Sequence, residues 1–262
     1  MPLGQTQRRR VFELIRISAL RSLKVRYRGS ALGVLWSLTN PLMLTAVYTA
    51  IFGTTFSQYY GGSIARYVVS AFVGLAVVTF FLNATNEALT SVVSNGPLLN
   101  KMAIPPAIFP LSAIAANLFQ QAVTALPIVL VMSIVLAHDP VRALLVPVVL
   151  FAILLLSTGV GLALSALFVF FRDLPYLWQI VGFILWMTSP LFYPIEVASG
   201  GVRRWFAFNP IAQDMSALRE VVYGQGPIHF HFIWLGLVVG LVALVLGGLF
   251  FRATQSEFMD LL

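Results

Sequence analysis

The sequence predicts an all-α membrane protein with six transmembrane helices. An amphipathic interfacial helix precedes them, and a re-entrant segment separates the fifth span from the sixth. Three observations carry this. Charged residues make up only 10% of the 262-residue chain and hydrophobic residues 59%, whereas soluble domains carry about a quarter charged residues. The mean hydropathy is +0.91, and the apolar residues come in runs of about twenty, the length that crosses a bilayer. Finally, eight of the sixteen lysines and arginines lie before Gly29, as in a basic helix resting on anionic headgroups.

Residues 8–28 form the interfacial helix. At 100° per residue Phe12, Ile15, Ala19 and Leu23 share a face, with Arg10, Arg21, Lys24 and Arg28 opposite. This segment does not read as a signal peptide, because its charge continues too far and no short apolar run with a cleavage site follows. Residues 29–65 hold no charge; they contain a first span over 32–56, kinked at Asn40-Pro41, and a loop. A second span covers 67–86. Within 94–101, Ser94-Asn95-Gly96-Pro97 interrupts the pattern and Leu98-Leu99-Asn100-Lys101 makes a short polar-flanked turn of helix. The third span, 107–136, is bounded by Pro105-Pro106 and His138-Asp139-Pro140. The fourth, 144–171, ends at Arg172-Asp173-Leu174-Pro175, and the fifth covers 176–195. Residues 196–226 mix charges with the apolar patch Trp205-Phe-Ala-Phe-Asn-Pro-Ile211, too short to span and suited to a re-entrant outer region. The sixth span is 228–251. The whole chain, 1–262, reads as one transmembrane domain.

With both termini in the cytoplasm, the cytoplasmic side carries eleven lysines and arginines and the outer side five, which favours that orientation. The same distribution assigns the net charge of +7 to membrane lipid rather than to nucleic acid.

Several chemistries are excluded or unsupported. There is no cysteine, hence no disulfide and no thiolate. His138, His229 and His231 sit at span ends, and His229-x-His231 has no Asp or Glu close in sequence, so no metal site is expected. Glu87, Asp173, Glu196, Asp214 and Glu220 lie near interfaces, and none is expected mid-span as a proton relay. Neither lysine precedes a Ser or Thr: Lys24 is followed by Val25 and Lys101 by Met102. A P-loop is therefore absent, and the chain is expected not to be an enzyme. What remains is an aromatic content of 13%. It includes Trp36, Tyr48, Phe52 and Phe56 on the first span and Phe183, Trp186, Phe192 and Tyr193 on the fifth. Such rings either stack on the C–H faces of sugars or pack helices and form interfacial belts.

The run Leu23-Lys-Val-Arg-Tyr-Arg-Gly-Ser-Ala-Leu-Gly-Val-Leu-Trp-Ser-Leu-Thr-Asn-Pro-Leu42 leads from a basic helix into an Asn-Pro span. Three further pieces follow in order: Gly96-Pro-Leu-Leu-Asn-Lys101, then Phe171-Arg-Asp-Leu-Pro175 with Ser189-Pro-Leu-Phe-Tyr-Pro-Ile-Glu196, then Asn209-Pro210 with Arg219. The ordered set, covering nearly the whole chain, resembles the membrane subunits of type-2 ABC exporters for bacterial polysaccharides such as O-antigen, capsule and teichoic acid. It departs from that pattern at Ile104-Pro105-Pro106-Ala107, where a charged residue is expected.

The resemblance implies a multi-pass permease of the bacterial inner membrane, a homodimer bound to two copies of an ABC ATPase. No cofactor is implied in this chain; ATP and Mg would be held by the ATPase. It implies a channel lined by Tyr48, Phe52, Phe56, Phe183 and Trp186, and a coupling helix of Gly96, Pro97, Leu98, Leu99 and Lys101 that contacts the ATPase. Arg21, Lys24, Arg26 and Arg28 would receive the pyrophosphate of a polyprenyl-pyrophosphate-linked polysaccharide. Rival readings are a membrane-embedded glycan-modifying enzyme, an exporter of drugs or lipids, and a channel. The first would need a buried His or carboxylate pair, the last no ATPase.

Overall fold

The computed structural model describes residues 5–99, 101, 104–137, 139–197, 199–201, 206, 209–224 and 228–261. Asn100, His138, Arg203, Arg204 and three residues of the apolar patch, Trp205, Ala207 and Phe208, lie outside the described residues. Every regular element among those described is helical.

Helix α1, Gln5–Arg26, is free of glycine and proline. Half of its apolar face is used within the protein: Ala19 and Leu23 pack on Ala116, while Phe12 stays 69% exposed. A 3-10 turn, Gly33–Leu35, leads into α2, Trp36–Phe56, with Pro41 inside it. Helix α3, Ile64–Ser94, is capped by Ser63, whose hydroxyl accepts from the Arg66 N–H at 3.4 Å. Its 31 residues make about 46 Å, so it continues well past the predicted end at Asn86. It is the central element, with most residues between Tyr67 and Val92 buried. Helix α4 is the single turn Gly96–Leu99.

The predicted third span is two helices, α5 (Ile108–Val123) and α6 (Ala125–Ala137), bent by 42° at Thr124. The cause is local. Pro127 cannot donate to the carbonyl of Val123 and its ring would clash with it. The Thr124 hydroxyl also donates to the Gln120 carbonyl at 2.7 Å, a back-bond that bends helices. After the short α7, Pro140–Ala143, comes α8, Val146–Phe170, close to the predicted fourth span.

Helix α9, Leu174–Thr188, stops at Thr188 rather than Ile195. Pro190 and Pro194 lack the N–H groups that would extend it. Residues 189–194 are irregular and 195–197 form a 3-10 turn. Helix α10, Pro210–Tyr223, lies within the predicted outer region. Asn209 caps it, its Oδ1 accepting from the N–H groups of Ile211 at 3.0 Å and Ala212 at 3.4 Å. Helix α11, Phe230–Thr254, closes the bundle, and α12, Phe258–Leu261, tucks back beneath it. There Phe258 is fully buried against Phe251 and Phe170.

Among the described residues, four helices are long and apolar enough to cross a bilayer: 33–60, α3, 141–170 and 230–257. The bent α5–α6 pair makes a fifth. Helix α9, with 15 residues, reaches only about 22 Å, shorter than a full straight span.

Two packing features position the rest. Helices α8 and α11 meet through glycines: a Cβ on Gly247 would fall on the carbonyl of Gly159, and one on Gly159 would meet the backbone of Ala243. Helix α10 is wedged among α3, α6, α8 and α11. Against the expectation for its carboxylates, this buries Asp214, which is 2% exposed and has Oδ1 set against Gly236.

Candidate functional site

Three of the four rings that α2 carries lie on one stripe, because four-residue spacing repeats on a helix face. Tyr48 and Phe52 stack with centroids 5.9 Å apart, and Phe52 and Phe56 at 5.5 Å. Across from them Phe192 stacks on Tyr48 at 3.4 Å, nearly parallel, and Trp186 meets Phe192 edge-on at 5.7 Å. Together with Tyr193 these side chains line an apolar groove of about 290 Å³. Four of the five predicted channel residues thus come together. Phe183 does not line the groove; it is 63% exposed on α9.

Phe192 and Tyr193 complete the groove only because the irregular segment after α9 is held in place. Arg219 of α10, 9% exposed, donates to the carbonyls of Ser70, Pro190 and Leu191 at 3.2, 2.7 and 3.1 Å. The Tyr67 hydroxyl donates to the Phe192 carbonyl at 2.9 Å. The Asn209 amide donates to Ser189 Oγ at 3.1 Å. The contacts to Pro190, Leu191 and Phe192 satisfy carbonyls that a broken helix would leave unpaired in an apolar medium. Arg219 is therefore a positioning residue, which sequence reasoning did not identify as such. The signal was available: a lone arginine in an apolar chain shortly after an Asn-Pro cap and a Pro-rich stretch. Arg219→Gln is expected to destabilise the purified protein by about 1.5–3 kcal/mol, read as a lower Tm in detergent. An unchanged Tm would show that the three carbonyls find other donors.

The basic and coupling residues share a second cavity, of about 540 Å³, between α1 and the α3–α5 region. Arg21 and Arg26 line it from α1, Glu87 and Ser91 from α3, and Leu98 from α4. Arg26 is not a free cation: it pairs with Glu87 and also donates to Gln120 Oε1 at 3.1 Å. Tyr27 donates to the same oxygen at 2.7 Å, and the Asn117 amide donates to Glu87 at 2.8 Å. This network clamps α1 to α3 and α5. Lys24 and Arg28 are exposed and do not line the cavity. Within the coupling group, Gly96 and Leu99 are buried, Leu99 in a cluster with Phe109, Phe251 and Phe258. Pro97 and Lys101 are exposed. No group of His, Asp and Glu side chains among the described residues is arranged to hold a metal.

Residues 13–223 match the ABC-2 type transporter family. The chain is 24% identical over 254 residues to an O-antigen export system permease protein RfbA of Klebsiella pneumoniae, covering 96% of each. It is 29% identical over 206 residues to the RfbA of Myxococcus xanthus, covering 78% of this chain and 77% of that one. It is also 23% identical over 232 residues to the capsule polysaccharide export inner-membrane protein CtrC of Neisseria meningitidis, covering 87% and 86%. With the match extending over most of the bundle, from α1 to the end of α10, the chain belongs to the ABC-2 type transporter family of membrane proteins.

Proposed function

We propose that this chain is the transmembrane subunit of an ATP-driven exporter that moves a lipid-linked, O-antigen-like polysaccharide out of the cytoplasm. The observation that carries the reading is the groove of Tyr48, Phe52, Phe56, Trp186 and Phe192, in a chain whose relatives are named as glycan export permeases. Ring faces bind the C–H faces of sugars through weakly directional contacts, so a chain can slide along them. A capsule-type glycan is the second reading, favoured by the CtrC relative.

In this reading α1 lies at the cytoplasmic interface and both termini are cytoplasmic. The α5–α6 pair and the short α9 make two of six crossings. Two copies of the chain pair along the exposed faces of α2 and α9, where Met43, Val47, Ile180, Phe183 and Met187 are at least half exposed or nearly so. Phe183 then faces the second copy. The cavity beneath α1 receives the pyrophosphate of the polyprenyl carrier, with Arg21 as its free cation and Arg26 already balanced by Glu87. ATP and Mg are bound by a separate ABC ATPase, two copies per dimer, which presses on Pro97 and Lys101.

Co-expression with its cognate ABC ATPase tests this. A stable complex is expected, whose ATP turnover falls severalfold in Lys101→Glu, a charge reversal at an exposed position. Leu99 is unsuitable for this test because its burial makes any substitution a packing change. A well-folded chain that captures no ATPase would overturn the proposal.

A further inference from the structure

At the end of the bundle that holds the α2–α3 turn, a third cavity, of about 430 Å³, opens beside the aromatic groove. Tyr59, Tyr60, Arg66, Glu196, Glu220 and Tyr223 line it, and its volume is that of an ordinary small-molecule site. The turn that presents the first two tyrosines depends on Gly61 and Gly62, with φ of 67° and 74°, a region that other residues rarely adopt. Ser70 joins the two inner rings: Tyr223 donates to its Oγ at 3.2 Å, and that hydroxyl donates to Tyr60 at 3.2 Å. Beneath them Arg219 is held by backbone carbonyls through its Nε and Nη2. Glu220 Oε1 is taken up by His229, accepting from its N–H at 2.7 Å and facing its Nδ1 at 2.6 Å. Among the described residues that line the cavity, two charged groups remain uncommitted: Arg66, a donor, and the exposed Glu196, an acceptor.

Rings, one free donor and one free acceptor are the chemistry that recognises a sugar. Adjacent hydroxyls donate to the carboxylate and accept from the guanidinium, and the C–H face rests on a ring. The balance of sign narrows the ligand further. Arg66 and Arg219 are offset by Glu196 and Glu220, so an acidic sugar would meet carboxylates without a compensating excess of cation. The cavity also adjoins the groove: Phe56 of the groove and Tyr59 of the cavity meet edge-on at 6.4 Å. We propose that this cavity is a binding subsite for neutral pyranose residues, distinct from the aromatic groove and placed where a glycan leaves it. The proposal rests on the glycan-export reading.

Saturation-transfer NMR on the full-length chain in lipid nanodiscs tests it, with mannotriose, galactotriose and chitotriose as neutral probes and trigalacturonate as the acidic one. At least one neutral trisaccharide is expected to bind and trigalacturonate not to. Tyr59→Ala and Glu196→Gln, both at exposed positions, are each expected to weaken that binding about tenfold. Phe151→Leu, at an exposed position of α8 outside the cavity lining, serves as the unaffected control. Absence of binding by all three neutral probes, or equal binding of trigalacturonate, would overturn the proposal. So would binding that survives both cavity variants but is lost in Phe52→Leu, which would put the sugar in the groove. The exporter reading fails separately, by the lack of an ATPase complex. A chain that captures the ATPase but ignores neutral sugars loses only the subsite.

Discussion

Gly247→Val is expected to abolish accumulation of folded protein in the membrane. Helices α8 and α11 form the most extensive contact in the bundle, and they approach backbone to backbone. A Cβ at Gly247 would overlap the Gly159 carbonyl, and at Gly240 it would lie 2.7 Å from the Ala152 carbonyl. Neither obstacle is a side chain that can rotate away, so the helices would have to separate along their length. In lipid, where close packing rather than hydrophobic burial holds helices together, that separation removes most of what joins them, at a cost beyond the ~1–3 kcal/mol of ordinary overpacking. Gly159→Val should fail in the same way. The neighbouring Gly248 provides the contrast: a Cβ there meets nothing, so Gly248→Ala is expected to be neutral, or stabilising by up to about 1 kcal/mol through helix propensity. Fluorescence-detected size-exclusion profiles of the three variants check this. Normal accumulation of Gly247→Val would mean that α8 and α11 are not in this register.

Replacing Tyr48, Phe52 and Phe56 together by leucine is expected to leave the protein folded while export falls tenfold or more. The three rings line the groove and are only partly buried, and leucine keeps much of their apolar bulk. What it removes is the flat face. The stack of Tyr48 on Phe192 and the ring ladder along α2 are lost, each aromatic contact being worth about 0.5–1.5 kcal/mol beyond burial. Surface glycan measured in cells whose only copy is the variant gives the readout, alongside unchanged accumulation of the protein. Export at the normal rate would remove the groove from the path and leave its rings as packing.

The sequence alone determined that lipid is the solvent, roughly where the apolar helices fall, and that a basic helix leads into them. Those properties follow from composition and from periodicity within one element. It also placed Tyr48, Phe52 and Phe56 on one face, because four-residue spacing is a local property of any helix. It did not disclose the break at Thr124 or the early end of α9. In both places prolines withdraw donors, but whether a helix bends or stops depends on what satisfies the freed carbonyls. Around α9 that is decided by Arg219, Tyr67 and Asn209, which reach the segment from other helices. The pairing of Arg26 with Glu87 across 61 positions, the contact of Gly247 with Gly159, and the meeting of Tyr60, Glu196 and Tyr223 in one cavity are likewise tertiary facts. Each depends on distances between elements, and no spacing along the chain encodes them.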